Sequence, residues 1–208
     1  MWNKNITSIG EGQFRSLNGA ADENVFIGKA SKAGFFCFFK VWRDMPYDAV
    51  LDHEGILYRV EVKGSSTGKF DLTRGGRSGE QINRDVASRK RRIVREDCDF
   101  VVCVDSNNGD CYILPIDVLD VIGKSTISEL ILTPFKEKWC LFIHGTNRLS
   151  GELTRDGISA LSTEELYQLA ESLGADIPAG PIRVGPKIKV SGEREKVILQ
   201  IWLKLCDI

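Results

Sequence analysis

Two acidic residues and a lysine occupy neighbouring predicted strands, where together they could hydrolyse a phosphodiester bond. Residues 56–63 have the alternating, β-branched character of a strand, so Glu61 and Lys63 project from the same face. Asp48 opens the preceding strand, 13 residues before Glu61. Carboxylate oxygens are the ligands that Mg²⁺ prefers, and a lysine beside them can hold the attacking water. This arrangement favours metal-assisted hydrolysis.

These residues also have ordinary structural interpretations. Asp48 could simply cap a turn, and Glu61 with Lys63 could form a surface ion pair on an edge strand. The Glu-x-Lys spacing alone is expected by chance in a chain of 208 residues. The context favours a catalytic role for these residues, because the Glu-x-Lys pattern ends a strand, an aspartate begins the partner strand and basic residues follow.

Periodicity in the chain predicts the elements that would hold these residues in place. Residues 18–33 have helical spacing that stops at Gly34. The aromatic run 35–42 predicts a buried strand, and residues 48–52 and 56–63 predict a hairpin. Further predicted elements are strands at 99–105, 111–116 and 138–145, helices at 117–124, 161–174 and 194–205, and a Pro/Gly-rich connector at 175–193.

A basic segment follows the strand that carries Glu61 and Lys63. Residues 63–95 contain ten Lys or Arg and three acids and carry a net charge of +7, although the whole chain carries −1. A glycine-rich loop at 64–80 and a basic helix at 81–95 could bind a phosphate backbone, unless the basic run is only a solvated helix face. The candidate DNA-binding residues are Lys69, Arg74, Arg77, Gln81, Arg84, Lys90 and Arg91.

Composition excludes several classes of protein. The hydrophobic share of 42% and the charged share of 27% are those of an ordinary globular protein. The six cysteines show no CxxC spacing and the chain has only two histidines, so we expect buried free thiols rather than a zinc site. No apolar run approaches the roughly 18 residues that a membrane span needs, and we expect a cytoplasmic protein with no membrane partner.

The segment PYDAVLDHEGILYRVEVKGSS resembles the centre of PD-(D/E)XK nucleases. The resemblance is strongest to the small phage, archaeal and intron-encoded branch, which includes Holliday junction resolvases and one type of homing endonuclease. That branch begins with a helix of the form G-x-x-x-E, and here GAADE, ending at Glu23, stands 11 residues before Gly34. The segments DFVVCVD and GDCYILPIDVL resemble the later strands, so the match covers roughly residues 17–118.

The resemblance implies roles for individual residues. Glu23 would complete a metal site with Asp48 and Glu61, although the adjacent Asp22 could replace it, and Lys63 would position the nucleophilic water. Gln81 matches a position where relatives place a polar residue near the metal, or it only closes a capping box. Tyr47 separates Pro46 from Asp48, so the family's Pro-Asp pair is not literal here.

We therefore expect an α/β fold: a restriction-endonuclease-like core with a central mixed sheet of four or five strands flanked by helices, plus a small C-terminal helical module. The predicted nuclease domain spans residues 1–149, and the module, a candidate DNA-binding part, spans residues 150–208. The expected cofactor is Mg²⁺, with Mn²⁺ able to substitute.

The expected activity is cleavage of double-stranded or branched DNA by a homodimer or higher homo-oligomer. Sequence-specific cleavage of the homing or restriction type is favoured, because the added module widens the footprint on DNA. Structure-selective cleavage of four-way junctions is an alternative. A catalytically silent DNA-binding protein is an alternative of another class.

Overall fold

The computed structural model describes residues 4–40, 42, 45–75, 90–144 and 157–207. In chain order the strands are β1 (Phe36–Phe39), β2 (Ala49–His53), β3 (Ile56–Ser65), β4 (Lys69–Asp71), β5 (Thr73–Arg74), β6 (Arg91–Arg92), β7 (Phe100–Asp105), β8 (Cys111–Pro115), β9 (Thr126–Ser128), β10 (Ile182–Val184) and β11 (Ile188–Val190). The helices are α1 (Glu11–Lys32), α2 (Ile116–Ile122), α3 (Glu129–Leu132), α4 (Leu141–His144), α5 (Thr163–Ser172) and α6 (Glu193–Leu205).

The central sheet has five strands in the order β1-β2-β3-β7-β8. Only β3 and β7 run parallel, and the other neighbours are antiparallel. Helix α1 packs against β3, β1 and β7. The predicted α/β fold with a central mixed sheet flanked by helices is therefore confirmed.

Helix α1 ends where the sequence predicts but begins earlier, at Glu11 rather than at residue 18. Gly34 follows it with φ +96°, a conformation that glycine adopts at little cost, and this stops the helix. The side chains of Phe26 and Ala30 are buried against the sheet. These contacts place the middle of α1 beside the end of β3.

The predicted hairpin of β2 and β3 is confirmed. Its turn residues Glu54 and Gly55 have φ +51° and +84°, as a type I′ turn requires. Asp52 stabilises the turn, since its Oδ1 accepts a hydrogen bond from the backbone N–H of Gly55 at 2.9 Å. The tight turn fixes the register, with Ala49 opposite Val60.

The aromatic strand at 35–42 is not buried, so that prediction is wrong. Strand β1 lies at the open edge of the sheet, and its side chains are largely exposed. Phe35, just before the strand, is the buried aromatic, and its ring lies 5.6 Å from that of Phe142. An apolar run alone does not reveal whether a strand lies in the centre or at the edge of a sheet.

The strand predicted at 138–145 is also wrong, because residues 141–144 form helix α4. Phe142 is fully buried, and its ring centre lies 4.5 Å from that of Phe100 on β7. A short apolar run can be a buried helix as readily as a buried strand, and here packing against the sheet selects the helix.

The segment between β3 and β7 differs from the predicted loop at 64–80 and basic helix at 81–95. Strand β3 continues to Ser65, β4 pairs with β9, and β5 pairs with β6. Residues 90–95 are therefore not helical, while residues 76–89 lie outside the described residues. Pairing with distant strands has overridden the local pattern.

The C-terminal helices appear as predicted, at Thr163–Ser172 and Glu193–Leu205. Helix α5 begins with a capping box in which Ser162 and Glu165 bind each other's backbone N–H groups. The connector at 175–193 contains the hairpin β10–β11, which its Pro/Gly-rich sequence did not predict.

Helix α6 shares the core of the central sheet rather than standing apart from it. It packs against α2, and the indole N–H of Trp202 donates to Asp117 at 3.3 Å. The ring of Trp202 also lies 6.4 Å from that of Phe100. The predicted domain boundary at 149/150 lies outside the described residues, and a DNA-binding role for the C-terminal part stays a prediction.

Within the described ranges, none of the helices combines the length and the apolar character that crossing a membrane requires.

Candidate active site

Asp48 is held against β3 by two backbone hydrogen bonds. It stands one residue before β2, and its N–H donates to the carbonyl of Val60 at 2.9 Å. Its Oδ2 accepts a hydrogen bond from the backbone N–H of Val62 at 2.8 Å. The residue is 7% exposed, so its carboxylate is largely buried.

Glu61 and Lys63 lie on the same face of β3, as the alternation of the strand predicts. The ammonium of Lys63 donates to Oε1 of Glu61 at 2.5 Å. Strand β3 lies in the middle of the sheet and Glu61 is buried, so a surface pair on an edge strand is not what these residues form. The pair faces the same region as Asp48.

Lys40 joins this group and was missed in the sequence. It directly follows β1, and its ammonium donates to Oδ1 of Asp48. Burial alone would lower the pKa of Lys40, but the hydrogen bond and the negative charges of Asp48, Glu23 and Glu61 raise it overall. The signal that could have revealed it is one lysine inside an aromatic run at 35–42.

Glu23 of α1 lies at the same place, whereas Asp22 does not. Burial and the nearby charge of Asp48 raise the pKa of Glu23, and the charges of Lys40 and Lys63 lower it. Asp22 instead accepts a hydrogen bond from the hydroxyl of Ser106 at 2.8 Å, next to β7. Of the two candidate helix acids, Glu23 is therefore the one beside Asp48. We call Glu23, Lys40, Asp48, Glu61 and Lys63 the charged cluster.

The chain shares its fold with a protein of known structure. No family model and no curated protein matches the chain. The solved structure of the bacterial homing endonuclease I-Ssp6803I matches with a TM-score of 0.52 and 22% sequence identity, over 66% of this chain and 96% of that chain. The chain has the fold of this endonuclease. The rest of this chain lies outside the match.

The acidic side chains of the charged cluster suit Mg²⁺ better than they suit zinc. Across the described ranges, no three His, Cys, Asp or Glu side chains are grouped so that they could hold a metal ion by themselves. Mg²⁺, however, commonly binds through one or two carboxylates and completes its shell with water and substrate phosphates. Asp48 and Glu61 provide two such carboxylates. A bound cation would have to displace the ammonium groups of Lys40 and Lys63.

The protonation of Glu61 should make the stability of the protein depend on pH. Burial, followed by the negative charge of Asp48, raises the pKa of Glu61 above its ordinary value of 4.5. The folded protein therefore keeps this proton to higher pH than the unfolded chain does. The stabilisation that comes from protonated Glu61 is fully present below pH 4.5 and is lost as the pH rises through the raised pKa of this residue.

We expect Glu61→Gln to be more stable than the wild type at neutral pH, with a difference that shrinks towards zero below pH 4.5. Urea unfolding at a series of pH values, with EDTA present, measures this. The exposed Glu171→Gln on α5 is the matched control and should follow the wild type. A Glu61→Gln protein that is less stable than the wild type at neutral pH would contradict this account.

Several predicted DNA-binding residues are bound to acidic side chains in the structure. Arg74 and Arg91 both contact Asp97: Arg74 Nη1 at 3.1 Å, and both terminal nitrogens of Arg91 at 2.6 Å. Lys90 donates to Asp71 at 2.8 Å. The two pairs with Asp97 link β5 and β6 to the turn before β7, and the Lys90–Asp71 pair links the residue before β6 to β4.

The remaining predicted contacts are less constrained. Lys69 on β4 is exposed at the surface, and Arg77, Gln81 and Arg84 lie outside the described residues. The positive charge of Arg74 also lowers the pKa of Glu61, so this guanidinium stands close to the charged cluster. DNA binding by all seven residues stays a prediction.

Proposed function

We propose that this chain is a Mg²⁺-dependent endodeoxyribonuclease of the PD-(D/E)XK type, with Mn²⁺ able to substitute. The observation that carries the proposal is the charged cluster, in which Asp48 and Glu61 stand beside Lys63 at the centre of the sheet and Glu23 approaches from α1. The shared fold with a homing endonuclease supports it, because that protein belongs to a class of DNA-cutting enzymes.

The residues divide the work between binding and orientation. Asp48 and Glu61, with Glu23 beside them, would hold the cation, which supplies an acidified water and neutralises charge on the phosphate. Lys63, released from Glu61, would hold the attacking water in line with the phosphorus and steady the developing negative charge. Val62 keeps the Asp48 carboxylate oriented through its backbone N–H.

We favour sequence-specific cleavage of the homing or restriction type, with a four-way junction as the alternative substrate. The presence of a homing endonuclease among the proteins with this fold supports sequence-specific cleavage. Base-specific recognition needs side chains that reach base edges in the major groove. The basic residues near the charged cluster, Lys69, Arg74, Lys90 and Arg91, are the candidates to contact the DNA backbone.

The test is a nuclease assay with the wild type and Lys63→Ala on supercoiled plasmid, long genomic or phage DNA and a synthetic four-way junction. We expect cutting in Mg²⁺ or Mn²⁺, none in EDTA, and a loss of at least ~100-fold in rate in Lys63→Ala. The substrate that is cut distinguishes sequence-specific from junction-selective cleavage.

The control is Lys32→Ala, which removes an exposed lysine at the far end of α1 and should cut like the wild type. Equal cutting by the wild type and Lys63→Ala would contradict the catalytic role of Lys63. If both fail on all three substrates and no Mn²⁺ binding that depends on Glu61 is found by calorimetry, a catalytically silent DNA-binding protein replaces the proposal.

A further inference from the structure

The edge of the sheet at β1 exposes an unusual number of large apolar side chains. Phe36, Phe38 and Phe39 are 74%, 54% and 51% exposed, Trp42 is 72% exposed, and Leu57 on β3 is 54% exposed. We call these five residues the β1 edge. By the strand register, Phe36, Phe38 and Leu57 lie on one face of the sheet and Phe39 on the other, so exposed apolar side chains flank β1 on both sides. Exposed apolar clusters mark places where another molecule binds.

The backbone of β1 is also open to pairing. Among the described strands β1 pairs only with β2, and its other side has no strand partner within the described part of the chain. Natural edge strands usually carry charges, proline or a bulge that prevents pairing with another chain. Residues Phe36–Phe39 contain none of these, and the lysine that follows, Lys40, is bound to Asp48. The strand is therefore competent to accept a further strand.

We propose that the β1 edge binds a second copy of this chain, with the two β1 strands pairing antiparallel about a two-fold axis. A two-fold interface uses the same patch on both subunits, and an antiparallel edge satisfies this without any other complementary surface. With Cys37 opposite Cys37 of the second copy, each Phe36 would lie beside Phe38 of the other chain on one face. Aromatic pairs across antiparallel strands stabilise a sheet.

The area available is sufficient for a specific dimer. With 150–250 Å² for each fully exposed aromatic, the exposed parts of the β1 edge amount to roughly 600 Å² per copy. Both copies together would bury on the order of 1,200 Å², the lower end of the range for specific interfaces. The patch contains no charged side chain, so two copies would not repel each other there.

The dimer would place two charged clusters on one DNA-facing surface; this consequence rests on the proposed function. Phe38 lies opposite Val50, which lies opposite Arg59, so Phe38 shares the sheet face that carries Glu61 and Lys63. A two-fold axis perpendicular to the joined sheet keeps both charged clusters on that face. Five strand spacings would separate the two β3 strands by about 24 Å, less than one turn of B-DNA at about 34 Å.

Sedimentation velocity of the full chain, without DNA and in EDTA, tests the dimer between about 1 and 100 μM. We expect the wild type to sediment as a dimer and the double variant Phe36→Lys/Phe38→Lys to be a monomer, with its dissociation constant raised at least ~100-fold. Leu130→Lys replaces an equally exposed apolar residue, 72% exposed on α3, and should dimerise like the wild type.

Hydrogen exchange supplies a measurement that needs no variant, in case the double variant does not fold. The backbone amides of residues 36–39 should exchange more slowly at high protein concentration than at low concentration. A wild type that is monomeric at about 100 μM, or a double variant that dimerises as well as the wild type, would overturn the proposal. DNA or a different protein would then be the occupant of the β1 edge. Because no cleavage is measured, a negative nuclease assay does not affect this result.

Discussion

Asp48→Asn is expected to lose DNA cleavage by about 10³-fold while the fold remains stable. The asparagine oxygen can still accept the N–H of Val62, so this buried donor keeps its partner, although the carboxylate partner of Lys40 is lost. The cost in stability should therefore be smaller than that of alanine. The amide cannot carry the negative charge that holds a cation, and several kcal/mol of transition-state stabilisation disappear with it. Cleavage rates in saturating Mg²⁺ and urea unfolding in EDTA measure the two effects separately.

Asp48→Ala should lose both DNA cleavage and stability. It leaves the N–H of Val62 buried without an acceptor and removes the partner of Lys40, which together cost about 3 kcal/mol of unfolding free energy. Asp176→Asn, an exposed aspartate in the C-terminal part, is the control and should change neither quantity. If Asp48→Asn cleaved DNA at the rate of the wild type, Asp48 would be a structural residue only.

Gly64→Ala is expected to destabilise the protein by about 3 kcal/mol, because the Asp22 side chain of α1 occupies the space that the new Cβ would take. A Cβ at residue 64 would lie 1.7 Å from Oδ2, 2.5 Å from Cγ and 3.1 Å from Cβ of Asp22. A rotation of Asp22 could relieve the two closest contacts only by breaking its hydrogen bond with Ser106, and the contact with its Cβ at 3.1 Å would remain. Chemical denaturation of the purified variant gives the cost directly.

Two further variants show whether the contact with Asp22 causes the loss of stability in Gly64→Ala. Asp22→Ala in the Gly64→Ala background should recover about 1–2 kcal/mol as a coupling energy, because the two closest atoms are removed. Gly28→Ala is the matched glycine control: it lies within α1, a Cβ there meets nothing within 4 Å, and it should stabilise the protein by about 0.5–1 kcal/mol. A Gly64→Ala protein as stable as the wild type would show that α1 can shift away from β3.

The elements around the charged cluster could be predicted because each has a strong local signal. The turn at Glu54-Gly55 needs positive φ, Gly34 terminates α1, and alternation on β3 places Glu61 and Lys63 on one face. The segment between β3 and β7 had no comparable signal. Strands β5 and β6 depend on pairing between residues far apart in the sequence and on Asp97, which binds Arg74 and Arg91.

The amino-acid sequence by itself predicted the strands of the central sheet and most of the helices, and it placed Glu61 and Lys63 on one face of β3 beside the strand that follows Asp48, because alternation, turns and helix stops are local properties. Only the tertiary structure decided which neighbours those residues have. It brought Lys40 to Asp48, turned Glu23 rather than Asp22 towards the cluster, and left β1 at an open edge. Each of these depends on how α1 and the strands pack in space. Contacts between residues that are far apart in the sequence produce no periodic pattern from which they could be predicted.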